Sequence, residues 1–130
     1  MPELKAVHAL RVVAEAAALD AAVWTGPAVG QVTILRVAPD EAIAIDALEV
    51  EVADDHAIVV HEDGLVVATC DLADIQHHVD WPLPTERPAL AQGAVAGVPA
   101  KVLIRRDGSV DLYTWAAYGH ELATRLGWLR

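Results

Sequence analysis

Short apolar runs separated by turn residues cover most of this chain, and two of the separators are Asp-Gly. Asp63-Gly64 follows Ile58, Val59 and Val60 and precedes Leu65, Val66 and Val67. Asp107-Gly108 follows Val102, Leu103 and Ile104 and precedes Val110 and Leu112. Asp-Gly between strand-like runs is a strong hairpin signal, because the turn demands positive φ and Gly adopts it without a Cβ clash. Each second run leads into a helical pattern, over residues 71–79 and 115–129. The pattern therefore predicts a hairpin–helix unit occurring twice, ββα-ββα.

Upstream, Leu4, Val7, Leu10, Ala14, Ala17 and Ala21 recur near helical spacing in an Ala-rich stretch. This predicts a helix over residues 3–23, within an N-terminal segment 1–25 that ends at Thr25, Gly26 and Pro27. Residues 31–37 and 42–45 read as strands, separated by Pro39-Asp40. Over residues 48–52, Leu48, Val50 and Val52 alternate with Glu49 and Glu51, as in a half-exposed strand. On the last strand Val110 and Leu112 share one face, and Asp111, Tyr113 and Trp115 the other. Tyr118, Leu122, Leu126 and Leu129 form one stripe of the last helix. Residues 81–99, with Pro82, Pro84, Pro88, Pro99, Gly93 and Gly97, read as a long surface loop. The expected fold is α+β: a two-layer domain over residues 1–130, with an antiparallel sheet carrying helices on one face. Its body spans residues 31–130.

Composition narrows the class. Of 130 residues 55% are apolar, with no Phe and four Trp, so the core is aliphatic with a few large aromatic pieces. No apolar run approaches the roughly 18 residues of a membrane span, and no secretory pattern opens the chain. A single Cys excludes an internal disulfide and suits a reducing compartment, so a cytoplasmic location is expected. The net charge is −10, and no Lys or Arg falls between Arg36 and Arg87. Residues 40–63 carry Asp40, Glu41, Asp46, Glu49, Glu51, Asp54, Asp55, Glu62 and Asp63. Such a surface repels phosphate backbones and anionic lipid, which excludes direct nucleic-acid and membrane binding. It suits a basic protein partner, or serves as a solvated edge that keeps a Val-rich sheet soluble.

Four constellations could carry chemistry. Asp74, His77 and His78 lie one helical turn apart and could hold zinc or iron, with His56 or His61 as a third ligand. A simpler reading has Asp71 capping that helix and the two His residues favourably placed near its C-terminus. Cys70, at a strand-to-helix junction with His77 as a base, could be a nucleophile; it could equally be a small buried hydrophobe beside an unfavourable Asp71. Carboxylate pairs are abundant but follow the alternation of exposed strand faces. No GxGxxG, P-loop, HExxH or GxSxG pattern occurs. The aromatic and Pro set holds Tyr113, Trp128, Trp81, Pro82, Trp115 and Tyr118, and the last four are the candidate partner or ligand contacts. Packing of helix on sheet is the competing role. It is favoured for Tyr118 and Trp128 and even for Trp81 and Trp115.

Several segments in order carry a family resemblance. Ile34-Leu35-Arg36-Val37-Ala38-Pro39-Asp40-Glu41, running into the apolar residues 42–45, is similar to an L-R-x-x-P-D-E motif of the sarcosine oxidase gamma-subunit family. Gln92-Gly93-Ala94-Val95, then Gly97-Val98-Pro99 and Val102-Leu103-Ile104, resemble its G-A-V segment leading to a V-P-x-x-L strand. Val110-Asp111-Leu112-Tyr113 with Tyr118 and Leu122 resembles its closing strand and helix. That family is related to the folate-binding domain of the glycine-cleavage T-protein aminomethyltransferases. The resemblance implies an accessory, non-catalytic subunit that supports a flavin- and folate-dependent amine-oxidising or one-carbon-transfer complex through contacts with larger subunits. It implies no flavin on this chain, and tetrahydrofolate at most at an interface of the complex. The alternatives are a free-standing metal-dependent enzyme centred on Asp74, His77 and His78, or a homodimeric small-ligand-binding protein with residues 81–99 as a lid.

Overall fold

A computed structural model describes residues 2–27 and 32–128. The chain divides into two compact units, Val7–Asp63 and Met1–Ala6 with Gly64–Arg130. Strands dominate both, pairing antiparallel wherever a register is seen, and three short helices accompany them, an α+β composition.

The first unit is built from β1 (Lys5–Val13), α1 (Ala16–Asp20), β2 (Val23–Thr25), β3 (Thr33–Ala38), β4 (Glu41–Ile45), β5 (Glu49–Glu51) and the start of β6 (Ile58–Asp71). β4 lies between β3 and β1 and pairs with both, Leu35 facing Ile43 and Leu10 facing Ala44. β2 and β5 form a separate ribbon with Trp24 opposite Val50. Trp24 packs against two small cores, one around Val12, Leu19 and Ala42 and one around Leu10, Ala44 and Ala47. The alternation read over residues 48–52 holds, with Glu49 and Glu51 exposed and Val50 turned inward. Gln31 and Leu129, parts of the expected third-segment strand and final stripe, lie outside the described residues.

The N-terminal helix does not form. Residues 5–13 are strand β1, and only Ala16–Asp20 of the expected 3–23 segment is helical. Of the six residues placed on the helical stripe, Leu10 and Ala14 alone are buried. The weak helical preference of Ala is overridden by five consecutive pairings with β4 and by the β-branched Val7, Val12 and Val13.

In the second unit, α2 (Leu72–Ile75) and a 3₁₀ turn (Gln76–His78) follow β6. Then come β7 (Ala89–Val95), β8 (Val98–Ile104), β9 (Ser109–Trp115) and α3 (Ala116–Arg125). The strand order is β6-β9-β8-β7. Ile75 of α2 and Leu122 of α3 join Val102, Ile104, Val110 and Leu112 in one buried cluster, so both helices cover the same face of these strands. Asp107-Gly108 makes the expected turn. Gly108 has φ +87°, and Arg105 and Ser109 close the loop through Arg105 N–H to the Ser109 carbonyl at 2.8 Å.

Asp63-Gly64 does not turn. Both residues sit inside the 14-residue strand β6, so the first hairpin of the expected pair is absent. Positive φ occurs at Gly97, Gly108 and Gly127 among the described glycines, while Gly64 stays extended within its strand. Asp63 turns its carboxylate to His8 Nδ1 at 2.6 Å, and residues Leu65 to Asp71 take β9 as their partner, from Leu65 opposite Trp115 to Asp71 opposite Ser109.

The expected loop over residues 81–99 is also corrected. β7 and the start of β8 occupy its second half, joined by a two-residue turn at Ala96-Gly97 with φ of +51° and +77°. Pro99 is tolerated because it lies at the start of β8, beyond the Lys101–Ile104 stretch that pairs with β9. The turn is held from outside: Ala96 N–H donates to the His78 carbonyl and Arg125 Nη1 to the Ala96 carbonyl, both at 2.7 Å. A Cβ on Gly97 would sit 2.7 Å from Arg125 Nη1. Gly97→Ala should therefore cost about 1–2 kcal/mol for its left-handed backbone, with further loss from the displaced Arg125. Arg125→Ala in the same background should add little. Chemical denaturation of the wild type, Gly97→Ala and the double variant checks both.

Candidate functional site

Strand β9 sets the chemistry of the second unit because both of its faces are covered. Val110, Asp111, Leu112, Tyr113 and Thr114 are all buried. Val110 and Leu112 face the helices, whereas Asp111, Tyr113 and Trp115 point to the other side, the division expected from the alternation of the sequence.

On that second face the register aligns Gln92 of β7 with Lys101 of β8 and Tyr113 of β9. In the next row Trp115 is opposite Leu65. These five side chains and Pro99 line a cleft of about 400 Å³. Lys101 Nζ lies 3.1 Å from Gln92 Oε1 and 5.8 Å from the centre of the Trp115 ring. The Thr114 hydroxyl donates to the Pro99 carbonyl at 2.8 Å, which fixes the mouth of β8. A cleft with an indole wall, an aliphatic wall and a polar row can hold a flat, mostly apolar guest. Its described lining contains no Cys, His, Asp or Glu.

Further along the same strand the buried Asp111, 5% exposed, is satisfied on both oxygens. Thr69 Oγ1 donates to Oδ1 at 3.1 Å, while Arg105 Nε donates to Oδ2 at 2.9 Å and Arg105 Nη2 contacts the same oxygen. The hydrogen bond to Asp111 raises the Arg105 guanidinium above its ordinary value, against the opposing effect of its own desolvation. This pair anchors β9 to its neighbours. The Asp107 carboxyl is held below its ordinary value by Ser109, whose hydroxyl and backbone N–H donate to it at 2.6 and 2.9 Å.

The residues expected as contacts separate. Trp81 lies on the helix-covered face, flat against Gly93, with its indole N–H donating to the Ala94 carbonyl at 2.8 Å. Trp115 lies on the cleft face, so the sheet stands between the two indoles. Pro82 is exposed in the segment before β7, and Tyr118 is 40% exposed on α3. Trp128 packs, partly buried, against the second-unit core.

Asp74, His77 and His78 are not brought together as a ligand set: no group of three metal-ligating side chains assembles among the described residues. Asp74 instead accepts from the Asp71 backbone N–H at 2.9 Å, one half of a capping box whose other half is the Asp71 side chain. His77 is exposed on the 3₁₀ turn. Cys70 is buried, and desolvation, then Asp74, Asp71 and Asp111, push its thiol up to about 12. That is the opposite of an activated nucleophile.

Gln92, Lys101 and Leu65 were not singled out from the sequence. Their signal was present as polar or bulky residues at every second position of strands whose other face is apolar, but it needed the β7–β8–β9 register to align them.

The comparisons with known proteins add the fold. Neither a protein-family model nor a curated protein matches the chain. Among solved structures it is similar to a chain of the heterotetrameric sarcosine oxidase from Corynebacterium sp. U-96 in complex with pyrrole 2-carboxylate, with a TM-score of 0.67 at 15% identity. The likeness covers 96% of this chain and 81% of that one. The two share a fold. The segments that carried the sequence resemblance also find structural roles. The L-R-x-x-P-D-E stretch is β3, its turn and the start of β4. There Arg36 Nη2 donates to the Pro39 carbonyl at 2.6 Å and Arg36 Nη1 to Asp20 at 2.8 Å, while Glu41 pairs with Arg11 at 2.7 Å.

Two outcomes follow for this site. With a thiol at about 12 against an ordinary 9.0, Cys70 should react with iodoacetamide about a thousand-fold more slowly in the folded chain than in denaturant. Its rate should rise steeply only at strongly alkaline pH, and rapid labelling at neutral pH would contradict the burial. A Cβ at Gly93 would lie 2.7 Å from Trp81 Cε2, so Gly93→Ala should cost about 1–3 kcal/mol of overpacking and shift the Trp81 indole N–H resonance.

Proposed function

We propose that this chain is an accessory, non-catalytic subunit of a heteromeric amine-oxidising or one-carbon-transfer complex, acting through contacts with larger subunits. The observation that carries the reading is the fold likeness over 96% of the chain to a component of a heterotetrameric oxidase. The motif series from Ile34 to Leu122 runs in the same direction. So does a candidate nucleophile that is protonated at neutral pH rather than activated. Soluble partner proteins are the contacts proposed, and no helix of the described residues is long and apolar enough to cross a membrane.

Tetrahydrofolate would be shared at an interface of such a complex. The pterin edge of that cofactor presents adjacent N–H donors. The described lining of the cleft meets them with Gln92, whose amide oxygen already accepts from Lys101. No residue of this chain is therefore assigned to it.

The test is purification of the chain at native expression level after reversible cross-linking. A larger subunit carrying the visible absorbance of bound flavin should accompany it in fixed ratio. A chain that elutes without any flavoprotein or methyltransferase subunit contradicts the proposal.

A further inference from the structure

We propose that Ile58, Val59 and Val60, with the carboxylates around them, form a docking surface for a partner protein presenting an apolar stripe bordered by Lys and Arg. The proposal gives the subunit reading above a place on the molecule, and it rests on that reading for the partner's identity only.

Successive side chains of a strand point to opposite faces, so a strand that covers one face shows alternating burial. At the start of β6 that alternation is missing. Ile58, Val59 and Val60 are 59%, 45% and 46% exposed, so neither face of this segment is covered. Three adjacent exposed aliphatic residues are costly to leave in water and prone to association, and strands usually carry charges at such positions.

Here the charges stand beside the segment instead. Asp54 and Asp55 precede it, and Glu62 and Asp63 follow it. Asp54 stays ionised well into acid, because the backbone N–H groups of Glu15 and His56, both at 2.9 Å, hold its carboxyl below the ordinary value. His8, His56 and His61 stand near these carboxylates, and Arg11 on the neighbouring strand β1 is paired with Glu41 at 2.7 Å. His8 pairs with Asp63 at 2.6 Å and its ring lies 5.3 Å from that of His61. No Lys or Arg enters the sequence between Arg36 and Arg87.

This rim decides the occupant. A second copy of the chain would bring Asp54, Asp55, Glu62 and Asp63 against their own images, and like charges across an interface are strongly unfavourable. Anionic lipid is repelled by the same rim. A protein stripe with a basic border satisfies both the aliphatic centre and the acidic edge.

The probe is a labelled peptide of alternating Leu and Lys, with its Leu/Glu counterpart as control, titrated against the full chain by fluorescence anisotropy. The wild type should bind the Lys peptide and ignore the Glu peptide, and raising the salt should weaken binding as the carboxylates are screened. The double variant Ile58→Ser, Val60→Ser should fold normally, because both positions are exposed, and bind at least about tenfold more weakly. Equal binding by wild type and double variant would overturn the proposal, as would equal binding of the two peptides. So would a wild type that sediments as a dimer and becomes monomeric in the double variant, which would give the surface to a second copy. Failure of the peptide arm leaves the subunit proposal standing, and absence of a flavoprotein partner leaves the surface standing.

Discussion

The second unit depends on the burial of β9 between two neighbours. A strand whose residues from Val110 to Thr114 are all buried must pair on both edges and satisfy every polar group it carries. β8 supplies one edge and residues Leu65 to Asp71 of β6 the other. Asp111 is the severe case, since a buried carboxylate without partners is strongly destabilising. Thr69 and Arg105, one from each neighbouring strand or its end, answer it. Thr114 is answered by the Pro99 carbonyl. No buried side-chain polar atom among the described residues lacks a partner.

Where local chemistry and long-range pairing agreed, the sequence was readable. The Arg36–Glu41 turn, the Glu49–Glu51 alternation, the Asp107-Gly108 turn and the helices after β6 and β9 all carried their own signals. Where they disagreed, pairing won. Residues 5–13, expected to open a helix, became a strand because β4 offered them a ladder. Asp63-Gly64 stayed extended although it is a good turn dipeptide, while the turn at Ala96-Gly97 formed with Ala at φ +51°, a position few would assign to Ala. Its stability comes from His78 and Arg125, residues 18 and 29 positions away, which no local pattern contains.

The same limit applied to the site. Sequence singled out Trp81 and Trp115 together as aromatic contacts, and the sheet placed them on opposite faces. The row of Gln92, Lys101 and Tyr113 exists only through register. The acidic stretch was legible from composition, but the exposure of Ile58, Val59 and Val60 within it was not, because a run of aliphatic residues reads as core. At 15% identity the likeness to the sarcosine oxidase chain is one of fold.

The fold requires β6 to continue through Asp63-Gly64, with its second half paired to β9. Cross-strand nuclear Overhauser contacts test this directly. Contacts should join Leu65 to Trp115, Ala68 to Leu112 and Cys70 to Val110, with none between Val60 and Val67. Contacts pairing Glu62 with Leu65 and Val60 with Val67, the signature of a hairpin at Asp63-Gly64, would contradict it.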